Sequence, residues 1–171
     1  LYQALSWQAN WDWGVYGALV TYALRQPYPL LSANLDRAQI MHIYKQRPTL
    51  SGEASATQQV QATLLEDIRE SHCGLLPETQ MPAMLAVQQQ RDRRMAERLL
   101  AAPTPALLLA GAFHVRKDLG VPLHLKDLGA GQGNAVLVLA EVGKTVSADS
   151  ADYVWYTAAQ PEQDHCAKLR R

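Results

Sequence analysis

The sequence predicts an α/β fold: a mostly parallel sheet flanked by helices, with a smaller all-helical subdomain. Three observations carry this expectation. Apolar runs of strand length, Leu30–Asn34, Ala106–Ala110, Ala135–Val142 and Tyr153–Thr157, alternate with amphipathic stretches of helical period. The run Ala106–Ala110 leads directly into Gly111-Ala112-Phe113-His114. That places a histidine at the carboxyl end of a buried strand, the edge where open α/β sheets bind ligands. The helical stretch from Asp36 to Ala101 is too large for one crossover, so 36–101 is read as a helical subdomain with a long connecting helix. Residues 1–35 and 102–171 then make the sheet domain.

Taken in order, Asn10 is placed to cap a first helix reaching about Arg25, with Trp11, Val15, Ala18, Leu19 and Tyr22 on one inward stripe. Gln26-Pro27-Tyr28-Pro29 breaks it ahead of the first short strand. Asp36 starts a second helix, Asp36–Gln46, which Pro48 stops. Thr49–Ser55 is a polar loop. Ala56–Ser71 is amphipathic, with Val60, Leu64, Leu65 and Ile68 inward. A Gly74–Pro77 turn opens a long helix from Glu78 to Ala101, ended by Pro103 and Pro105. After the Ala106–Ala110 strand come a short Val121–Leu125 segment, a glycine-rich turn at Gly129–Gly133 and the last two strands. About four strands is thin against the usual five or six, which predicts that part of the sheet lies upstream of Leu1.

Composition narrows the function classes. The 171 residues suffice for one domain, or one with a small subdomain, and a real core. Sixteen basic residues balance sixteen acidic ones, so no long-range field points to nucleic acid or to an anionic membrane surface. No apolar run approaches the ~20 residues that span a bilayer, and no signal peptide opens the chain. A start at Leu1 suggests a processed or truncated piece. Cys73 and Cys166 are far apart and outside any CxxC pair, which argues against zinc and thioredoxin-type chemistry. They are either two inert buried thiols or, in an oxidising compartment, a disulfide tying the C-terminal tail to the body; the disulfide is the favoured reading.

The chemistry-bearing residues are few. On the long helix Gln88, Arg91, Asp92 and Met95 share a face at spacings of three and four. Arg91 and Asp92 with Arg94 and Arg98 fit a solvated salt-bridge face. Gln88 and Asp92 are harder to leave in water, because Met84, Leu85, Met95 and Leu99 pull the same stripe inward. A polar pair there needs partners, and the His114 turn is the candidate source. His114, Arg116 and Lys117 together make that turn electropositive and suited to an anion. Gly129-Ala130-Gly131-Gln132-Gly133 lacks dinucleotide spacing, and no GxSxG, HExxH, Walker or kinase signature is present. Cys73 beside His72 is not a nucleophile–base arrangement.

Five ordered segments carry a family resemblance: LLSANLDR (Leu30–Arg37), His72-Cys73-Gly74-Leu75-Leu76-Pro77, AVQQQRDRRMAERL, LLLAGAFHVRKDLGVPLHL, and ADYVWYT followed by Asp164-His165-Cys166. Together they resemble the ChaN-like family of bacterial haem-binding lipoproteins. The resemblance implies a sheet domain with a smaller helical domain, a lipid anchor, a place in the cell envelope at the outer membrane or in the periplasm, and haem handling in iron acquisition without catalysis. It also implies haem at a homodimer interface, with tyrosine on the iron and basic residues on the propionates, and an outer-membrane haem receptor as partner. It supports a bond between Cys73 and Cys166, each set in a family-like segment. The family's N-terminal portion, with its first strand, a Gly-Glu-x-His motif and the lipidated cysteine, has no counterpart here.

Phenolate suits ferric haem, and a nearby cation favours the phenolate form. Among seven tyrosines, Tyr16 and Tyr22 lie on an apolar helical stripe, and Tyr153 and Tyr156 alternate on a strand. Tyr44 stands apart in Met41-His42-Ile43-Tyr44-Lys45, which joins apolar, aromatic and basic groups on one short helix. Tyr44 is therefore the first candidate ligand, with His42 and Lys45 as propionate or neighbouring partners, and Tyr156 and then His114 as the next candidates for the iron. An amphipathic helix with a snorkelling lysine explains the same pattern. Two other readings stay open. One is a hydrolase resembling erythromycin esterases or TraB-type proteins, with His114 as base or metal ligand; the other is a non-catalytic structural domain.

Overall fold

The computed structural model describes residues 5, 7, 11–161 and 164–168. The chain divides into two units, residues 1–32 and 33–171. In the first, α1 (Trp13–Leu24) is capped by Asp12, whose carboxylate accepts from the Gly14 amide at 2.8 Å. The expected cap, Asn10, lies outside the described residues. Gly17 is the buried residue of α1 because the Trp13 indole fills the place of its missing side chain. The stripe expected to face a core is instead open, with Val15 66%, Leu19 45% and Tyr22 60% exposed. A unit this short has too little chain of its own to cover a helix face.

The second unit is built round one long helix. Asp36 caps α2 (Arg37–Gln46) in a reciprocal box: its carboxylate accepts from the Gln39 amide, and the Gln39 side chain accepts from the Asp36 amide. Arg47 turns left-handed (φ 49°) and Pro48 prevents continuation. Thr57 caps α3 (Gln58–Ser71), which buries Val60, Leu64 and Ile68 at helical spacing. A short 3-10 turn at Glu78–Gln80 leads into α4 (Met81–Ala101), against which α2 and α3 pack. The α5 turn (Ala112–Val115) follows, then α6 (Val121–Asp127), which packs on α4. The Val121–Leu125 segment is thus helical, with Pro122 in its first turn where a missing amide hydrogen costs nothing. Met95, Ala96, Val121 and Leu125 form one core cluster and Val60, Leu64 and Leu119 a second.

The sheet is smaller than the sequence predicts. β1 (Leu137–Glu141) and β2 (Tyr153–Thr157) pair in parallel, Leu137 opposite Tyr153 through Glu141 opposite Thr157, and make a two-stranded sheet. Leu30–Asn34 and Ala106–Ala110 form no strand, so the mostly parallel sheet is corrected to mixed helix with a small parallel pair. Ala106–Ala110 nevertheless keeps strand-like alternation: Leu108 and Ala110 pack on the first core cluster while Leu107 and Leu109 are 84% and 59% exposed. An apolar run encodes burial, but a strand also needs a neighbour for its ladder, and among the described residues none lies beside this one. Leu137, Leu139, Tyr153 and Trp155 line an exposed apolar sheet face.

Cys73, at the end of α3, is disulfide-bonded to Cys166 in the C-terminal tail, 93 positions on. Among the described residues no helix is long and apolar enough to cross a membrane.

Candidate functional site

Gly111 begins the turn that carries His114, whose amide returns to the Gly111 carbonyl at 2.9 Å. The turn is locked from behind by Gly120. A Cβ there would stand 2.1 Å from the His114 carbonyl oxygen, so this close backbone approach requires glycine. The His114 ring is thereby held against α4. Nδ1–H donates to Asp92 Oδ1 at 2.5 Å, and the Gln88 amide donates to Asp92 Oδ2 at 3.3 Å and lies 3.1 Å from Nδ1. The partner that Gln88 and Asp92 need on their inward stripe is therefore His114. Asp92 is fully buried, and that burial raises its pKa, against the opposing pull of His114, Arg91 and Gln88.

Arg91 belongs to the same cluster and not to a solvated face. Its Nε donates to Asn34 Oδ1 at 3.1 Å, while Asn34 Oδ1 also accepts from the Leu35 amide. Burial lowers the Arg91 pKa without threatening its charge. The sequence marked Asn34 only as the end of an expected strand. Its pairing with Arg91, 57 positions on, has no local signal.

The electropositive turn expected from His114, Arg116 and Lys117 is corrected. Arg116 is held by Asp118 at 2.6 Å and by Asp67 of α3 at 3.4 Å, and Lys117 pairs with Asp152. Both cations are thus held in ion pairs.

His124 is a feature that sequence reasoning passes over. It is 1% exposed on α6, and its Nδ1 has no hydrogen-bond partner. Burial lowers its pKa to about 4; the Asp127 carboxylate opposes the shift and Arg93 adds to it. Asp127 is itself committed to the loop before α3, accepting from the Ala54 and Ser55 amides and from the Ser55 hydroxyl. The unfolded chain therefore takes a proton near pH 6.5 that the folded chain refuses until about pH 4. Stability from this residue is complete above pH 6.5 and declines as the pH falls toward 4, by roughly 3 kcal/mol at about 1.4 kcal/mol per unit. The difference in urea stability between the wild type and His124→Phe, followed from pH 7 to pH 4, is expected to show this slope; a flat difference would assign the acid sensitivity elsewhere.

The other expected site residues lie apart from His114. His42 lines a groove of about 430 Å³ between α2 and α4, with Leu35, Ile43, Arg93 and Arg94. Tyr44 is two positions further along the helix and so points about 160° away from His42 around its axis. Tyr44 and Lys45 consequently share the outer side of α2 with Arg37, Ile40 and Met41, and the trio His42, Tyr44 and Lys45 does not converge. Ile40 and Tyr44 are half-buried, while Arg37, Met41 and Lys45 are exposed. Tyr156 is on β2, opposite Ala140 and 50% exposed. Among the described residues no group of three or more histidine, cysteine or acidic side chains is arranged to hold a metal ion.

Residues 1–125 match the family model described as haem-binding uptake, Tiki superfamily, ChaN. Among solved structures the chain is similar to ChaN of Campylobacter jejuni, whose structure shows cofacial haem binding, at a TM-score of 0.82 and 34% identity. The similarity covers 90% of this chain and 60% of that one, so the chain spans about three fifths of the length of that relative. A comparison with curated proteins gives no match.

Proposed function

The chain belongs to the ChaN-type haem-binding uptake family, and from that premise we propose that it binds haem on the outer side of α2, with Tyr44 as iron ligand. The observation that carries this assignment is the composition of that helix side. Ile40 and Met41 give an apolar shelf beside the phenol, and Arg37 and Lys45 stand as exposed cations at its margins. A porphyrin needs the same combination: apolar surface for its face, an oxygen donor for ferric iron, and positive charge for its propionates. Lys45 is the propionate partner in this reading, while His42 serves the groove on the far side of the helix.

One open helix side covers one face of a haem. The other face is covered by a second copy of the chain, which accords with the cofacial haem of the Campylobacter protein. Haem binding and dimerisation are then linked, each strengthening the other. The Cys73–Cys166 bond supports a cell-envelope location, since such bonds persist in oxidising compartments. Binding and delivery of haem, with no chemical transformation of it, is the role that follows.

Tyr44→Phe keeps the ring and its packing and removes the oxygen ligand. Hemin titration should show a loss of affinity of about tenfold or more and disappearance of the ferric phenolate bands, with circular dichroism unchanged. Sedimentation with hemin should show the dimer weakened in parallel. An unchanged hemin spectrum would remove Tyr44 from the iron, and the test would pass to Tyr156 and then to His114.

A further inference from the structure

The groove between α2 and α4 is used neither by haem on the outer side of α2 nor by the His114 cluster. Its volume of about 430 Å³ falls in the usual range for small-molecule sites. One stripe of each helix faces it: α2 presents Ala38, His42 and Ile43, and α4 presents Arg93, Arg94 and Glu97 at helical spacing. The α4 stripe from Gln90 to Glu97 gives it a length of about 10 Å. Leu35, only 5% exposed, joins Ala38 and Ile43 as the apolar part of the lining. The polar part is rich in donors and positive in charge. Arg93 Nε donates to Glu97 Oε1 at 3.2 Å, so the carboxylate of the lining is matched by one of two guanidiniums. Among the described residues the groove has no second carboxylate to match Arg94. The Gln39 side chain, also in the lining, accepts from the Asp36 amide through its oxygen, which leaves it the donors of its NH2 group.

We propose that this groove binds a small amphiphilic carboxylate, with Arg94 on the carboxylate and the hydrocarbon body against Leu35, Ala38 and Ile43. The positive lining selects an anion, and the planar guanidinium suits the two oxygens of a carboxylate. The apolar lining selects a hydrocarbon body, because each methylene removed from water strengthens binding by about fourfold. A short anion such as acetate meets only the first requirement, and a neutral alcohol meets only the second. His42 and Tyr44 point to opposite sides of α2, so a ligand in the groove leaves the haem face clear.

Calorimetric titration of the full chain with octanoate, acetate and 1-octanol at pH 7.5 tests this. Saturable octanoate binding is expected, with acetate and octanol each weaker by about tenfold or more. Ala38→Trp fills the groove from an exposed helical position and should abolish octanoate binding, with circular dichroism unchanged. Arg94→Gln should weaken octanoate by about tenfold and leave octanol as it was. Proton NMR of the wild type should show the His42 ring, identified by its loss in His42→Asn, shifting along the same saturation curve. Added hemin should leave the octanoate titration unchanged. Absence of saturation, octanol as tight as octanoate, an unmoved His42 resonance, full affinity in Ala38→Trp or Arg94→Gln, or displacement by hemin would each overturn the proposal. The His42 shift is read on the wild type and stands even if a variant folds poorly, and a failure of haem binding on α2 would leave it untouched.

Discussion

Asp92→Ala should cost about 3 kcal/mol of folding stability, the scale expected when two buried donors lose their acceptor and a small void is left. The carboxylate is fully buried on α4 and receives both the His114 Nδ1–H and the Gln88 amide. Removing it strands two donors in a site water barely reaches, and leaves a small void at the junction of α4 and α5. Asp92→Asn separates geometry from charge: its carbonyl still accepts from Nδ1–H, so most of the loss should be recovered, to within about 1 kcal/mol of wild type. Urea unfolding of both variants provides the measurement. A midpoint for Asp92→Ala within error of wild type would show that the pair holds nothing together. Equal losses in both variants would mean that charge, not shape, carries the effect.

Local chemistry was legible in the sequence wherever a short stretch decides the outcome. Asp36 and Gln39 write the start of α2 three residues apart, and Pro48 writes its end. The stripe Val60, Leu64 and Ile68 fixes the buried face of α3. The inward pull of Met95 on Gln88 and Asp92 led correctly to a partner in the His114 turn. Pairing across distance was not legible. Ala106–Ala110 has the alternation of a strand, yet alternation says which side chains are inward and not whether another strand stands alongside. Lys117 read as a free cation because Asp152, which pairs with it, is 35 positions away, and Arg116 is shared between the local Asp118 and Asp67, 49 positions away. Arg91 also fitted a solvated face, because its partner Asn34 is 57 positions away. On α2, helical spacing already separates His42 from Tyr44, and Tyr44 and Lys45 share a side with Ile40 and Met41.

Loss of the Cys73–Cys166 bond is expected to cost more than the loss of Asp92, by an effect exerted mostly on the unfolded chain. Cys73 sits where α3 ends: its amide returns to the Glu70 carbonyl and the next amide, of Gly74, returns to Arg69. The backbone is left-handed at both residues, φ 60° and 66°, so the turn presents its sulfur from a fixed platform. Cys166 lies in a tail with short-range contacts of its own, its amide accepted by Asp164 two residues before. The unfolded chain without the bond gains the freedom of a loop closed over a separation of 93 residues. In the chain-entropy model that freedom is worth about 4–5 kcal/mol, and residual structure in the unfolded chain reduces the figure. The urea midpoint of the wild type should therefore fall sharply on addition of dithiothreitol, while a Cys73→Ser, Cys166→Ser double variant should already sit at the lower midpoint and ignore the reductant. Circular dichroism at zero urea should change little in either case, because α3 and α4 pack through Val60 and Leu64, with Leu85 of α4 against them, and not through the tail. A reductant-insensitive wild type, or free-thiol counting that finds two reactive thiols in the denatured, unreduced chain, would show that the bond is absent in solution.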